Sequence, residues 1–207
     1  EWREGAPDGT VNSDARIADI KDGDMVLCRL SAPLVALCIK WIGEGVKAYI
    51  KGRDIGTNLV NMLQKTKRVR IKDALNVLCK ELARVQGEIQ RTCGMSPEEA
   101  VQHTSYVLYE DKIKAIEVIA EGLTKVEEVC DRINAIFSDE SKQGICLSTV
   151  HKSKGLESDR VFIVCPDKFL LKRSMRIPWM AEQEHNLVYV AYTRAKHYLG
   201  FVTDFKI

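Results

Sequence analysis

The sequence lacks the motifs that mark several large classes of enzyme. No stretch has the pattern G-x-x-x-x-G-K-[ST], so the chain has no P-loop of its own to cradle nucleotide phosphates. Neither G-x-S-x-G nor H-E-x-x-H occurs, which excludes a nucleophile elbow and a helical zinc-protease site. His103, His185 and His197 have no metal-ligand partners at suitable spacing. We therefore predict that this chain binds no metal ion by itself.

The seven cysteines include no pair with C-x-x-C spacing. An odd number of cysteines, most of them inside apolar runs, favours reduced and buried thiols over disulfides or a zinc site. Reduced thiols are typical of a cytosolic compartment, so we expect a cytoplasmic protein. The cysteines are Cys28, Cys38, Cys79, Cys93, Cys130, Cys146 and Cys165.

The sequence also lacks a strong charge imbalance and a long apolar run. The formal net charge is only +2, so an anionic partner would have to bind locally clustered cations. No apolar run approaches the roughly 18 residues that cross a bilayer, and no signal peptide is visible, so we expect no membrane partner. The chain begins Glu1-Trp2 without an initiator methionine, and we expect an excised C-terminal fragment or a processed product.

Apolar periodicity predicts an α/β fold. Short apolar runs predict about five strands, over residues 24–29, 46–50, 145–150, 160–165 and 198–202. Helical spacing covers 32–45 and 182–196, and nearly all of 57–137. This order predicts a three-layer domain with a mainly parallel sheet and an all-helical insertion. The polar residues 1–22 are predicted to form a linker or edge segment.

Residues 146–157 form a polar loop between two apolar strands. Lys152 and Lys154 flank a serine and lie beside His151 and Gly155, an arrangement that suits a phosphate or phosphodiester group. Glu157 offers an acceptor for a sugar hydroxyl. Ligands of open α/β sheets collect at the carboxyl ends of strands, where we expect this loop to lie. By composition alone, an ordinary polar turn is an equally good interpretation.

Arg194 follows an apolar helical pattern and precedes the last predicted strand. An arginine in that position is often a helix-capping residue. The alternative is a rigidly held guanidinium that reaches a phosphate bound to another domain, since its planar fork stabilises charge on a transferring phosphoryl group.

Four stretches in this order resemble motifs of the UvrD/Rep/RecB-type superfamily 1 DNA helicases. Thr149–Glu157 together with Val161–Val164 resembles motif V, and Glu184–Ala195 resembles motif VI. Two weaker matches precede them. Residues 26–29 with Ser31-Ala32 resemble the motif IV region, and residues 71–75 resemble the start of the helix that leads into the accessory insertion.

This resemblance implies the second RecA-like domain of such a motor, in which residues 23–75 and 144–207 form the motor domain and 76–143 a reduced helical insertion. Arg194 would be the catalytic arginine finger and, with Gly155 and Glu157, would contact the nucleotide. Arg29, Thr149 and His151 would bind the nucleic-acid strand.

The same resemblance implies ATP and Mg²⁺ as cofactors, with single-stranded DNA and the first RecA-like domain of the same polypeptide as partners. The P-loop and the Mg²⁺-binding acids would lie on that first domain, so this chain alone is predicted to be inactive. The family's setting implies a bacterial or phage-type intracellular protein.

Several positions depart from the family pattern or leave alternatives open. Ser158 stands where the family usually has an aromatic residue, and His185-Asn186 replaces a basic pair. The alternative function is a non-catalytic nucleic-acid-binding or protein-interaction module with a retained helicase-domain fold. A fusion to a nuclease is a third possibility.

Two charged runs have competing interpretations. Asp139-Glu140 follows an apolar run and could imitate a metal-binding acid pair, but that run belongs to a helical pattern. A basic run is either a solvated helix face, which composition slightly favours, or a track for DNA phosphates. Its members are Lys65, Lys67, Arg68, Arg70 and Lys72.

Overall fold

A computed structural model describes residues 8–138, 143–170 and 178–205. Seven strands pair in these residues: β1 (Thr10–Ala15), β2 (Met25–Cys28), β3 (Ala48–Lys51), β4 (Phe137–Ser138), β5 (Ile145–Thr149), β6 (Ser158–Val164) and β7 (Ala195–Val202). The helices are α1 (Ser31–Gly43), α2 (Arg53–Lys65), α3 (Ile71–Cys93), α4 (Pro97–Ala100), α5 (Thr104–Ile119), α6 (Val126–Ile136) and α7 (Pro178–Tyr192).

The strands form one sheet in the order β1-β7-β6-β2-β5-β3-β4, and every neighbouring pair is parallel. Alternate side chains of the central strands therefore reach opposite faces. Val26 and Phe162 belong to a core shared with α1, α2 and the other central helices, whereas Leu27 and Ile163 belong to a second core beneath α7. The predicted RecA-like α/β fold with a mainly parallel sheet is confirmed.

The helix α5 packs against α1, α6 packs against α2 and α3 packs against α5, so these helices do not stand apart from the sheet. Ile116 of α5 and Ile133 of α6 are fully buried in the core that also contains Val26 and Leu147. The carboxylate of Asp111 in α5 accepts the first backbone N–H groups of α1, from Ser31 at 2.7 Å and Ala32 at 2.9 Å. This contact anchors α5 at the carboxyl edge of the sheet.

The prediction of about five strands was too low, since the sheet has seven strands in the described residues. The edge strand β1 is largely polar and buries only Ala15, so it has no apolar alternation. The strand β4 has two residues and directly follows α6. Neither strand has the apolar content that periodicity detects.

Two local predictions were also wrong. The helix predicted over 182–196 ends at Tyr192, because Thr193 and Arg194 form a turn and Ala195 already pairs in β7. No disulfide joins any of the seven cysteines, but Cys79 and Cys93 are exposed because they lie on the outer side of α3. No helix in the described residues is long and apolar enough to cross a membrane.

Candidate functional site

The predicted strand-contacting residues lie together at the carboxyl edge of the sheet. Cys28 pairs with Thr149 at the ends of β2 and β5, which places Arg29 beside the turn that contains His151. The carbonyl of buried Thr149 accepts backbone N–H groups from Lys152 at 2.9 Å and Ser153 at 3.0 Å. Arg29, Thr149 and His151 line one cavity of about 300 Å³ that is closed on its far side by α2 and α5.

Arg29 forms a buried ion pair with Glu184 of α7. Its Nη2 lies 3.0 Å from Oε1 of Glu184, its Nε lies 3.3 Å from Oε2, and both side chains are about 5% exposed. Two parallel bonds to one carboxylate fix the guanidinium plane. Arg29 is therefore held by α7, and its Nη1 has no hydrogen bond within the described residues.

Glu184 was not among the predicted site residues. One signal was available, because Glu184 shares its helical face with Leu187, Val188 and the buried Ala191. A carboxylate on the core face of a helix needs a partner, since an unpaired buried charge is costly. The sequence around Glu184 does not identify that partner, because Arg29 lies 155 residues away along the chain.

The pKa of His151 lies below its ordinary value. Partial burial of the ring disfavours its charged form although the residue is still exposed, and the positive charges of Arg29 and Lys152 also oppose protonation, while Glu184 acts in the opposite direction. His151 is therefore neutral at pH 7 and offers an N–H donor and a nitrogen acceptor.

The two lysines of the loop at 150–157 differ in their surroundings. The ammonium group of Lys152 lies 2.6 Å from the carboxylate of Asp54 in α2, which partly neutralises it. Ser153 between the two lysines is fully buried, and its hydroxyl donates to the carbonyl of Val150 at 2.8 Å. Lys154 remains exposed.

The predicted nucleotide-contacting residues lie at the opposite edge of the sheet. Glu157 and Arg194 directly precede β6 and β7, whose first residues, Ser158 and Ala195, pair with each other. The amino ends of these strands thus hold both side chains. The expectation that the whole loop lies at the carboxyl ends is wrong, because residues 150–157 cross one face of the sheet from the end of β5 to the start of β6.

Arg194 binds the backbone on both sides of this amino-edge site. Its Nε donates to the carbonyl of Val190 at 2.8 Å, Nη1 donates to the carbonyl of Leu156 at 2.9 Å, and Nη2 contacts the hydroxyl of Thr193 at 3.0 Å. The guanidinium thus caps α7 and holds the end of the loop. Three of its five N–H groups are engaged, which leaves two for a ligand.

The other two residues of the amino-edge site are accessible. Gly155 has φ +83°, which favours glycine, and no atom lies within 4 Å of the position that a Cβ would take. Glu157 is exposed, and its carboxylate lies 3.9 Å from the ammonium group of Lys196. A ligand can therefore approach the backbone at Gly155 and the carboxylate of Glu157 together.

The helix α7 connects the two edges. By strand register, Thr149 and Ser158 lie six residue levels apart, or about 20 Å along the sheet. Glu184 in α7 holds Arg29 at one edge, and Val190 in the same helix accepts a bond from Arg194 at the other. The helix α7 therefore contacts a functional candidate at each edge.

Within the described residues, no three side chains of His, Cys, Asp or Glu are grouped as a metal site. The acid pair Asp139-Glu140, which sequence analysis considered as an imitation of a metal site, lies outside the described residues.

The fold and the two edges described above can be compared with known proteins. Residues 132–204 match the family model of the UvrD-like helicase C-terminal domain. The matched stretch contains both strong motifs and about a third of the chain. The resemblance to UvrD-like helicases is thereby confirmed.

One relative also supports this assignment. A stretch of 100 residues is 30% identical to the Bacillus subtilis protein named "Putative ATP-dependent DNA helicase YjcD". The alignment covers 43% of this chain and 13% of that relative, so the chain spans a small part of the relative's length.

Proposed function

We propose that this chain is the second RecA-like domain of an ATP-dependent DNA helicase or translocase. Residues 23–75 and 144–207 would form the motor domain, with 76–143 as a reduced helical insertion and 1–22 as its edge segment. The observation that carries the proposal is the connection of two separate sites by one loop and one helix. Arg194 holds Leu156 at one end, and Glu184 holds Arg29 at the other.

The amino-edge residues suit one side of a nucleotide. Arg194 retains two N–H groups for a γ-phosphate, Gly155 leaves its backbone open, and Glu157 presents a carboxylate to a ribose hydroxyl. The same residues do not suit a Mg²⁺ ion, which prefers several oxygen ligands, because no group of carboxylates is present among the described residues. Mg²⁺ and the remaining phosphates would be held by the first RecA-like domain.

The carboxyl-edge residues suit a single DNA strand. Neutral His151 donates one hydrogen bond to a phosphate oxygen, and Thr149 supports the turn that presents it. Arg29 adds a guanidinium group in a fixed position, since Glu184 already holds its plane. Contacts of this kind bind the backbone and carry no base specificity.

Coupling would follow from closure of the two RecA-like domains. When the first domain closes, Arg194 moves toward the γ-phosphate and strains its bonds to Leu156 and Val190. The loop at 150–157 and α7 then shift, and the strand contacts at His151 and Arg29 shift with them. Repeated closing and opening steps the strand through the motor.

Two variants of the full-length protein test this proposal by opposite effects. Arg194→Ala should lower the ATPase turnover by about a thousandfold or more, as loss of an arginine finger does, and should leave single-strand binding nearly unchanged. His151→Ala should weaken single-strand affinity more than nucleotide affinity. Arg194→Lys should also remain slow, because lysine lacks the planar fork.

Lys196→Ala is the matched control, since it removes an exposed cation near Glu157 and should retain turnover. Near-normal ATPase activity in Arg194→Ala would overturn the finger assignment. A full-length protein without any strand-stimulated ATP hydrolysis would instead be the non-catalytic binding module.

A further inference from the structure

The turn between α2 and α3 carries a group of exposed cations that the proposed motor function does not use. Lys65, Lys67, Arg68 and Arg70 are all exposed, and the valine between the last two is 75% exposed. We call residues 65–70 the basic turn.

The basic turn is held rigidly by a second turn. The backbone N–H of Ile71 donates to the carbonyl of Thr124 at 2.9 Å, and that of Val126 donates to the carbonyl of Val69 at 2.9 Å. Arg70 and Lys125 thereby form an antiparallel bridge, which adds the exposed Lys125 to the group. Cations on a pinned backbone lose little backbone entropy when they bind.

The basic turn groups cations without ion pairs on one short segment. Some cations of the helical block have carboxylate partners one helical turn away, as Arg84 has with Glu81 and Lys114 has with Glu110. Lys65, Lys67 and Arg68 have no salt bridge within the described residues, although carboxylates of α6 line a cavity beside Arg68.

The two remaining cations of the original basic run are less available. Arg70 pairs with Asp73 at 2.8 Å, and Lys72 lines a cavity with Glu117 and Glu121. Lys65, Lys67 and Arg68 are therefore exposed cations without a carboxylate partner among the described residues, and their grouping on one turn points to an external anion.

The basic turn lies far from the proposed strand contacts. The helix α2 begins beside Asp54, which pairs with Lys152 at the carboxyl edge, and it ends at Lys65. Thirteen helical residues span about 20 Å, so the turn lies toward the opposite edge of the sheet. It cannot be an extension of the site around His151.

We propose that Lys65, Lys67 and Arg68, with Lys125, bind the phosphates of a DNA duplex. Neither residues 65–70 nor Thr124 and Lys125 include an aromatic side chain on which an unpaired base can stack. Surfaces that bind single strands combine cations with such aromatic platforms, whereas a duplex presents mainly phosphates to a rigid cationic turn. The choice of DNA rests on the proposed function, but the phosphate contact rests only on the turn.

The test compares two triple variants of the full-length protein. One carries Lys65→Gln, Lys67→Gln and Arg68→Gln in the basic turn. The matched control carries Lys21→Gln, Lys40→Gln and Lys47→Gln, which remove the same charge from other exposed positions. Binding to a blunt 20-base-pair duplex and to oligo-dT is measured across salt concentrations, with thermal melting to verify folding.

The basic-turn variant should lower the slope of log affinity against log salt for the duplex by about 0.9 for each lost phosphate contact, up to about 2.7. Its slope with oligo-dT should remain unchanged, and the control should change neither slope. If the slope for oligo-dT fell by the same amount as the slope for the duplex, the duplex assignment would be overturned. If the duplex slope of the basic-turn variant equalled that of the control variant, the turn would be a solvated surface or a site for a protein partner, and the proposal would be wrong.

These outcomes are independent of the proposed motor function. Failure of Arg194→Ala to affect ATP hydrolysis would overturn the motor assignment and would leave the salt slopes of the basic turn unaltered. A lost duplex contact with normal single-strand-stimulated ATPase activity would confirm that the two nucleic-acid surfaces are separate.

Discussion

The buried pair of Arg29 and Glu184 is the residue-level contact that joins the two strong motifs. Burying two charges costs several kcal/mol per ion, and the attraction between them offsets this cost only with good geometry. The bidentate contact at 3.0 and 3.3 Å provides such geometry. A pair of this kind is often no more stabilising than an apolar pair of the same size. Its retention is explained if it positions Arg29 for the strand.

Replacing only one residue of the Arg29–Glu184 pair should therefore lower the stability of the fold strongly, whereas replacing both residues should not. Glu184→Gln leaves the Arg29 charge unpaired, and we expect a loss of about 3–5 kcal/mol of unfolding free energy, measured by urea denaturation. The double variant Arg29→Met with Glu184→Met should recover most of that stability. It should not recover strand-stimulated ATPase activity, because the positioned charge is absent.

The double variant separates a positioning role from a structural one. If it restored strand stimulation together with stability, the ion pair would only pack α7 against the sheet. In the double variant, the apparent KM for oligo-dT should rise by a larger factor than kcat falls, since the loss of the Arg29 charge affects strand binding first.

The residues of the candidate site differed in how far the sequence could predict them. Thr149, His151, Gly155 and Glu157 lie within nine residues, so local order alone brought them to one loop. Their division between two edges depends on the register of β5 and β6, which no local pattern specifies. The partner of Glu184 depends on the folded chain path, because the contact spans 155 residues.

At the scale of elements, the contact between α5 and α1 anchors the helical block to the site. Asp111 accepts two backbone N–H groups that would otherwise be unsatisfied at the start of α1. Burial raises the pKa of this carboxyl group, while the two backbone bonds oppose that rise. The same carboxylate lines the cavity that contains Arg29 and His151.

Asp111→Ala should destabilise the protein by about 1–2 kcal/mol at pH 7, because the start of α1 loses its cap. Asp111→Asn should lose less stability, since the amide oxygen of asparagine still accepts one of the two backbone hydrogen bonds. Urea denaturation measures both, and Glu110→Ala, which removes the neighbouring carboxylate from its pair with Lys114, is the control. Equal stability of Asp111→Ala and the control would show that the contact anchors nothing.

The pH dependence of this effect has a definite sign. Because the folded pKa of Asp111 lies above its ordinary value of 3.8, the folded state binds the proton more tightly than the unfolded state does. The contribution of this titration to stability is full below pH 3.8 and declines as the pH rises through the folded pKa. The unfolding free energy of Asp111→Asn should lack that decline.

The elements themselves were predictable where apolar periodicity was regular. The helices α3 and α6 begin at Ile71 and Val126, where the repeat of buried residues begins, and both lie within the helical spacing predicted over 57–137. The helix α4 begins with a capping box between Ser96 and Glu99 and lasts only one turn. Polar β1 and the short β4 form only because the sheet offers them neighbours, which is a tertiary effect.

At the scale of the whole molecule, one continuous core joins the sheet to the helical block. Phe162 and Val26 of the sheet share this core with Ile116 of α5 and Ile133 of α6, and all four are fully buried. A block that shares its core with the motor sheet cannot unfold without exposing that sheet. We therefore infer that residues 76–138 and the sheet form one cooperative unit, although the sequence order predicts an insertion.

Ile116→Ala tests this cooperativity from a distance. Replacing a fully buried isoleucine with alanine lowers the free energy of unfolding by about 2–5 kcal/mol. If the helical block and the sheet unfold as one cooperative unit, the free energy needed to open the sheet falls by the same amount. The thiol of Cys28, which is fully buried at the end of β2, reports that opening when it reacts with a maleimide. Its labelling rate, followed by peptide mass mapping, should rise by about 30-fold to about 5000-fold.

Ile42→Ala is the matched control, because Ile42 lies on α1 and is 50% exposed. Its effect on the labelling of Cys28 should be at least tenfold smaller. If Ile116→Ala accelerated amide hydrogen exchange in α6 and left the labelling of Cys28 unchanged, the helical block would open by itself. The block would then be an accessory subdomain that can move against the motor domain. Each opening would have to break the bonds between Asp111 and the start of α1 and separate the helices from the core that they share with the sheet.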